Sequence, residues 1–236
     1  MSMLEVLIQF NIWQALYAVG GTVEQVGLEA MLTYVVINRL IASFTSGYIS
    51  SNIGEKVLSG EIVGDFIRPI NIKLYLIFDH LGSALYDTAF NFIPVSIVTI
   101  LFGAFLLPSS LLHGVMFVIS LILGIILMYL LNYAIGLLTF WFKTYSYTHW
   151  LMRAMTTLFA GTVIPLWFYP DFLKNVAMCL PFRYISFEPI AIYLGQTTAR
   201  DIVFTIAMQI MWIIVVYFIG LLLWKKAEKR VVIQGG

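Results

Sequence analysis

Few residues of this chain could do chemistry, and their spacing works against most of it. His80, His113 and His149 lie far apart and show no HExxH-type spacing, in which two imidazoles share a helix face around a metal. Asp79 and Asp87 are eight residues apart, a little over two helical turns, so they share a face loosely and form no proton-sharing dyad. The single cysteine, Cys179, permits neither an internal disulfide nor a thiolate metal cluster, and it leaves the redox compartment open. No Gly-x-Ser-x-Gly elbow occurs, and Gly82-Ser83 alone reads as helix packing. Gly54 and Gly60 are followed by Glu55 and Glu61 rather than by Gly-Lys-Ser/Thr, so the sequence holds no phosphate-cradling loop. These residues predict a protein that is not an enzyme and has no metal or cofactor of its own. Anything it moves uphill must draw energy from another chain or from an ion gradient.

Composition sets the elements that position these residues. Of 236 residues, 61% are apolar and 11% charged, against about 45–50% and about 25% in an ordinary soluble domain. That is more apolar surface than a chain of this size can bury, with too few charges to dress a watery exterior. Disordered, collagenous and disulfide-framed classes are excluded together. Thirteen Lys and Arg against twelve Asp and Glu leave a net charge of +1, so no nucleic-acid partner is expected. The expected solvent is a lipid bilayer.

A spanning helix needs about 20 largely apolar residues to cross about 30 Å of hydrocarbon. Five runs qualify, at residues 28–49, 85–105, 111–140, 151–168 and 202–224, and the 111–140 run is overlong, hence tilted or extended beyond the bilayer. A sixth, residues 1–19, is short and carries Glu5, Gln9, Asn11 and Gln14 with no basic residue ahead of it. It lacks the positive n-region and the cleavage site of a signal peptide, so it is expected to be the tail of a truncated first span. Lys56, Arg68, Lys73, Lys143, Arg153, Lys225, Lys226, Lys229 and Arg230 fall on one side of such a topology, and only Lys174, Arg183 and Arg200 on the other. The basic side is cytoplasmic. The expected fold is therefore all-α integral membrane, six transmembrane helices in one domain over residues 1–236, multi-pass in the cell membrane. Both termini are expected in the cytoplasm, the second as a tail over residues 225–236.

Two connections carry more information than the spans. In the first, Val57, Leu58, Ile62 and Phe66 recur at roughly helical spacing among charges, which suits a short amphipathic helix at the cytoplasmic membrane face. Gly60 and Gly64 weaken it, Pro69 stops it, and Arg68 before that proline makes a corner. It is either an interfacial anchor or a coupling helix that fits a groove on a soluble partner. In the second, Pro165, Pro170, Pro181 and Pro189 fall in a stretch that stays apolar and aromatic. No single helix runs through it, yet broken apolar backbone at membrane depth must be buried in protein or line a cavity. Two short helices that dip into the outer leaflet and return are expected, with Trp167, Tyr169 and Tyr184 at headgroup level. Such a hairpin is either an outer loop resting on lipid or a lid over the outer end of a pathway.

Together these segments resemble the membrane subunits of type 2 ABC exporters, in the branch of uncharacterised ABC-type transport permease components. The carrying residues are Ser59-Gly60-Glu61 followed by Phe66-Ile67-Arg68-Pro69-Ile70, then Val163-Ile164-Pro165-Leu166, Tyr169-Pro170-Asp171-Phe172, Leu180-Pro181-Phe182-Arg183-Tyr184 and Leu194-Gly195. The likeness covers about residues 13–226. It implies that residues 54–69 form the coupling helix docking on a cytoplasmic ABC ATPase, with Glu55, Lys56, Ser59, Gly60, Glu61, Asp65, Phe66, Arg68 and Pro69 at the contact. It implies that residues 169–196, with Pro165 and Trp167 leading in and Pro170, Pro181, Phe182, Arg183 and Pro189 within, form an outward re-entrant hairpin. It implies a second permease chain, identical or a sister, and ATP with Mg confined to the partner ATPases. The rival readings are a membrane-embedded enzyme or scaffold without ATPase coupling, and a gradient-driven secondary transporter. The latter would want paired, internally repeated ionisable residues, and no repeat is visible.

Within the spans, Arg39, preceded by Asn38, lies about midway along the 28–49 run, where a cation costs about 2.5–3.5 kcal/mol and should face protein or water. Asp79 and Asp87 are the nearest carboxylates in sequence to pair with it. The pair is expected to be structural, the other reading being a substrate contact. Ser43, Gly47 and Ser51 on that run, and Gly124, Asn132 and Gly136 on the 111–140 run, allow close helix approach, either within the chain or to a second permease.

Overall fold

The computed structural model describes residues 3–18, 26–45, 54–56, 59, 72–94, 96–97, 105–142 and 146–234, and every regular element among them is helical. In chain order these are α1 (Met3–Ala18), α2 (Leu28–Thr45), α3 (Ile72–Asp87), α4 (Leu111–Leu137) and the single turn α5 (Thr139–Phe142). They continue as α6 (Ser146–Phe159), α7 (Asp171–Met178), α8 (Phe187–Tyr193) and α9 (Ala199–Gln234). Two of them are long and apolar enough to cross a membrane, Leu111–Phe142 with 32 residues and Ala199–Ala227 with 29.

α4 is the central post. It packs along α9 and also receives α8, α2 and α6. Its start is set by Ser110, whose hydroxyl accepts the His113 backbone N–H at 3.3 Å and lies 2.8 Å from His113 Nδ1. His113 is thus part of a cap. One face of α4 carries Leu127, Met128 and Leu131 into a core shared with Met152 of α6, Val216 of α9 and Phe182, Tyr184 and Ile185 of the hairpin. The opposite face, with Leu111, Val115, Val118 and Ile122, is exposed, as lipid solvent requires. α1 lies against α2, where Val6 and Trp13 meet Met31 and Val35.

Two expected spans differ in extent from the sequence expectation. The helix of the expected 85–105 span begins at Ile72, and residues 105–108 have left the helix. At Thr88–Phe92 its turn widens to the π form, with the Ile93 N–H reaching back to Thr88 O. Pro94 explains this: it has no N–H for the Phe90 carbonyl, and its ring would strike that carbonyl in a normal turn. The expected 151–168 span is helical only over Ser146–Phe159. Gly161 takes the left-handed region (φ +72°), and Ala160 O accepts the Phe187 N–H at 3.1 Å, so the chain turns toward the hairpin. Fourteen residues rise roughly 21 Å, less than a bilayer core. The first expected span is helical from Met3 to Ala18.

Candidate functional site

The best-defined polar assembly surrounds the proline-broken segment of residues 160–198, which includes the expected hairpin of residues 169–196. Leu166–Phe168 and Pro181–Tyr184 are short 3-10 turns, and α7 and α8 are the two short helices. Pro165, Pro181 and Pro189 are buried and Pro170 is exposed. The hairpin is seated in the bundle, not laid on its surface. Trp167 packs edge-on to Tyr34 and against Phe187, and Tyr184 is almost fully buried, so both rings rest on protein. Tyr169 is half-buried and donates its hydroxyl to Leu158 O at 2.6 Å.

Three polar clamps hold it. On α2, Asn38 donates to Thr162 O and accepts from Ser186 Oγ at 2.6 Å, while Tyr34 donates its hydroxyl to Gly161 O at 2.7 Å. On α9, Gln209 donates to Ser120 O and Tyr184 O, both at 2.9 Å, and accepts from Ser120 Oγ at 3.1 Å. Within the hairpin, Arg183 pairs with Glu188 at 2.9 Å with side chains only 7% and 10% exposed. Thr205 of α9 donates to the other Glu188 oxygen at 3.2 Å, and the Arg183 guanidinium also meets Met178 Sδ and lies 4.7 Å over the Tyr184 ring. Burial pushes the Glu188 carboxyl up, and the Arg183 charge opposes that. A pair this deep is desolvated at a cost that its own attraction and the Thr205 bond offset.

Small residues complete the seat. A Cβ on Gly124 would stand 3.0 Å from Ile185 O and 3.1 Å from Tyr184 O, so α4 touches hairpin backbone there. That contact is within the chain, as is the Ser43 Oγ to Thr88 Oγ1 bond at 2.9 Å between α2 and the wide turn. Gly47 and Ser51 lie outside the described residues.

Of the two carboxylates expected near Arg39, the structure brings Asp87: both its oxygens stand 3.4 Å from Arg39 Nη2, with side chains 5% and 32% exposed. Asp79 is exposed on α3, where its carbonyl accepts Ser83 Oγ at 3.1 Å, so it is not the partner. Asn132 is buried and donates to Met128 O at 3.1 Å in its own helix, and its Oδ1 has no hydrogen-bond partner among the described residues. Of the segment expected to couple, residues 54–56 and 59 are helical, Glu55 is exposed, and Ser59 Oγ lies 3.4 Å from Lys56 O. Gly60, Glu61, Asp65, Phe66, Arg68 and Pro69 lie outside the described residues.

Sequence reasoning passed over Ser120, Ser186, Glu188, Thr205 and Gln209 as partners. The available signal was isolation: Gln209 and Ser120 each interrupt a long apolar run, and a lone polar group in a span must turn to protein. The assembly positions this segment against α2, α4 and α9. Among the described residues no three His, Cys, Asp or Glu side chains are grouped to hold a metal.

Residues 3–235 match the model of a family described as ABC-2 family transporter protein. No curated protein matches the sequence.

Proposed function

We propose, from the premise that this chain belongs to the ABC-2 transporter family, that it forms one wall of an ATP-driven exporter. It is a membrane-embedded permease component of an ABC transporter and not the ATPase. In the proposed assembly two permease chains enclose the path, and two cytoplasmic ATPases below them hold ATP and Mg. Residues 54–69 are the coupling helix, six spans place both termini in the cytoplasm, and the hairpin closes the outer end. ATP binding draws the ATPases together, the coupling helices follow, and the path opens outward.

The observation that carries this reading is the match to a transporter family over nearly the whole chain. The seated, proline-broken segment agrees with it, because broken backbone at membrane depth must be buried in protein or line a cavity. The test is co-expression with a soluble ABC ATPase and reconstitution in vesicles. Glu61→Lys and Asp65→Lys should each leave insertion intact and uncouple hydrolysis from transport. Unchanged transport by both would remove the docking role, and transport without ATP or a companion would replace the exporter by a gradient-driven carrier.

A further inference from the structure

α9 does not stop where its apolar run stops. The run Ile202–Trp224 rises roughly 34 Å, enough to cross a core of about 30 Å, and the helix continues to Gln234. Lys225, Lys226, Lys229 and Arg230 occupy the next turn and a half. From Lys225 to Arg230 the helix climbs roughly 7.5 Å, about the depth of one headgroup layer. Trp224, stacked on Tyr133 of α4 with ring centroids 6.4 Å apart, sits at the start of that layer, the usual level for an indole.

The direction of this basic stretch is set by the packing of α9. Val216, Gly220 and Ala227 are buried and, at about 100° per residue, fall within about 40° of one another on the helix circumference. Met211, Val215, Phe218 and Leu222 are exposed and lie on the side turned away from the bundle. Lys225 and Lys226 are exposed, and by register Lys225, Lys229 and Lys226 fall within about 100° on that same outward side, with Arg230 at its edge toward the bundle. By register Glu228 flanks these lysines on the other side, near the exposed Tyr217 position. The stripe that faces acyl chains therefore runs on into three cationic positions, Lys225, Lys226 and Lys229, at headgroup depth.

We propose that this stripe is a binding site for anionic lipid headgroups of the inner leaflet, their phosphates held by Lys225, Lys226 and Lys229, with Arg230 adding to the local positive charge. It rests on the reading that residues 202–224 cross the membrane with the tail in the cytoplasm. A cationic cluster directly beyond a span attracts anionic lipid, and its outward face sets it among lipids rather than against the protein body. The bound lipid ties the end of α9 to the bilayer surface.

The full chain is reconstituted in phosphatidylcholine vesicles with spin-labelled phosphatidylglycerol or spin-labelled phosphatidylcholine, and the motionally restricted fraction of each label is read. The wild type should prefer the anionic label by about threefold or more, and concentrated salt should reduce that preference. K225Q/K226Q/K229Q/R230Q should bring the two labels to parity, whereas K225R/K226R and E228Q should keep the preference. No preference in the wild type, or a full preference in the quadruple variant, overturns the proposal. So does a variant that keeps its lipid preference and loses only capture of an ATPase partner. Alkaline carbonate extraction separates the premises: a chain that resists it without lipid preference leaves the span standing, and a chain released by it removes the span itself.

Discussion

Gln209 of α9 and Ser120 of α4 hold each other in both directions, hydroxyl to side-chain carbonyl at 3.1 Å and amide to backbone carbonyl at 2.9 Å. The same amide reaches Tyr184 O, so one side chain joins the two longest helices and the hairpin at a point with no solvent. Gln209→Leu fills the volume and strands these acceptors. It should destabilise the chain by about 1–3 kcal/mol, read as a lowered unfolding midpoint in detergent. An unchanged midpoint would mean that the hairpin is held by apolar packing alone.

The Arg183–Glu188 pair calls for a double-variant comparison. Arg183→Met leaves a buried carboxylate unpaired and should cost about 3–5 kcal/mol. Replacing both residues by Met removes the charge problem and should recover much of that loss. Equal stability of single and double variants would show that Glu188 reaches water.

Glycine substitutions separate a close backbone approach from an ordinary contact. Gly124→Val drives side-chain atoms into the Tyr184 and Ile185 carbonyls and should lose about 1–3 kcal/mol. Gly220→Ala meets only the Tyr133 ring at 3.4 Å and should be tolerated. Monodisperse yield after extraction orders the two, and the reverse order would overturn the packing assigned to α4.

Arg39→Ala and Asp87→Asn should lower assembled yield more than they change cargo selectivity, because the pair ties α2 to the wide turn of α3. Asp79→Asn, on the exposed face, should do neither. A well-assembled, ATP-hydrolysing Arg39→Ala complex with altered cargo would move Arg39 from structure to recognition.

At the start of α9 the Thr198 hydroxyl and backbone N–H donate to Asp201 at 2.7 and 3.1 Å and hold its carboxyl below the usual range. A lowered folded value means that the contribution is present above the ordinary aspartate range and lost as pH falls through the folded value. Thr198→Val should move the Asp201 titration back up toward that range by carboxyl-carbon NMR. A titration that stays put would show that the cap forms only weakly.

Much of this architecture was legible without coordinates. Leu111–Phe142 and Ala199–Ala227 announce themselves by length and apolar content, and four prolines within residues 165–189 forbid a continuous helix there. These are local properties: hydrophobicity adds along a segment, and a proline lacks its N–H wherever it sits. Boundaries were less legible, since α6 ends at Phe159 because Ala160 O and Gly161 answer to Phe187 and Tyr34, residues far away in sequence.

Which polar groups meet was a matter for the tertiary structure. Asn38 and Ser186 are 148 residues apart, and Ser120 and Gln209 are 89 apart. Sequence alone required that each polar residue in an apolar run find a partner, because lipid supplies none. It could not name that partner, because many donors and acceptors satisfy the same requirement. The choice of Asp87 over Asp79 for Arg39 came from the helix phase of α3 against α2, and only the packed bundle sets that phase.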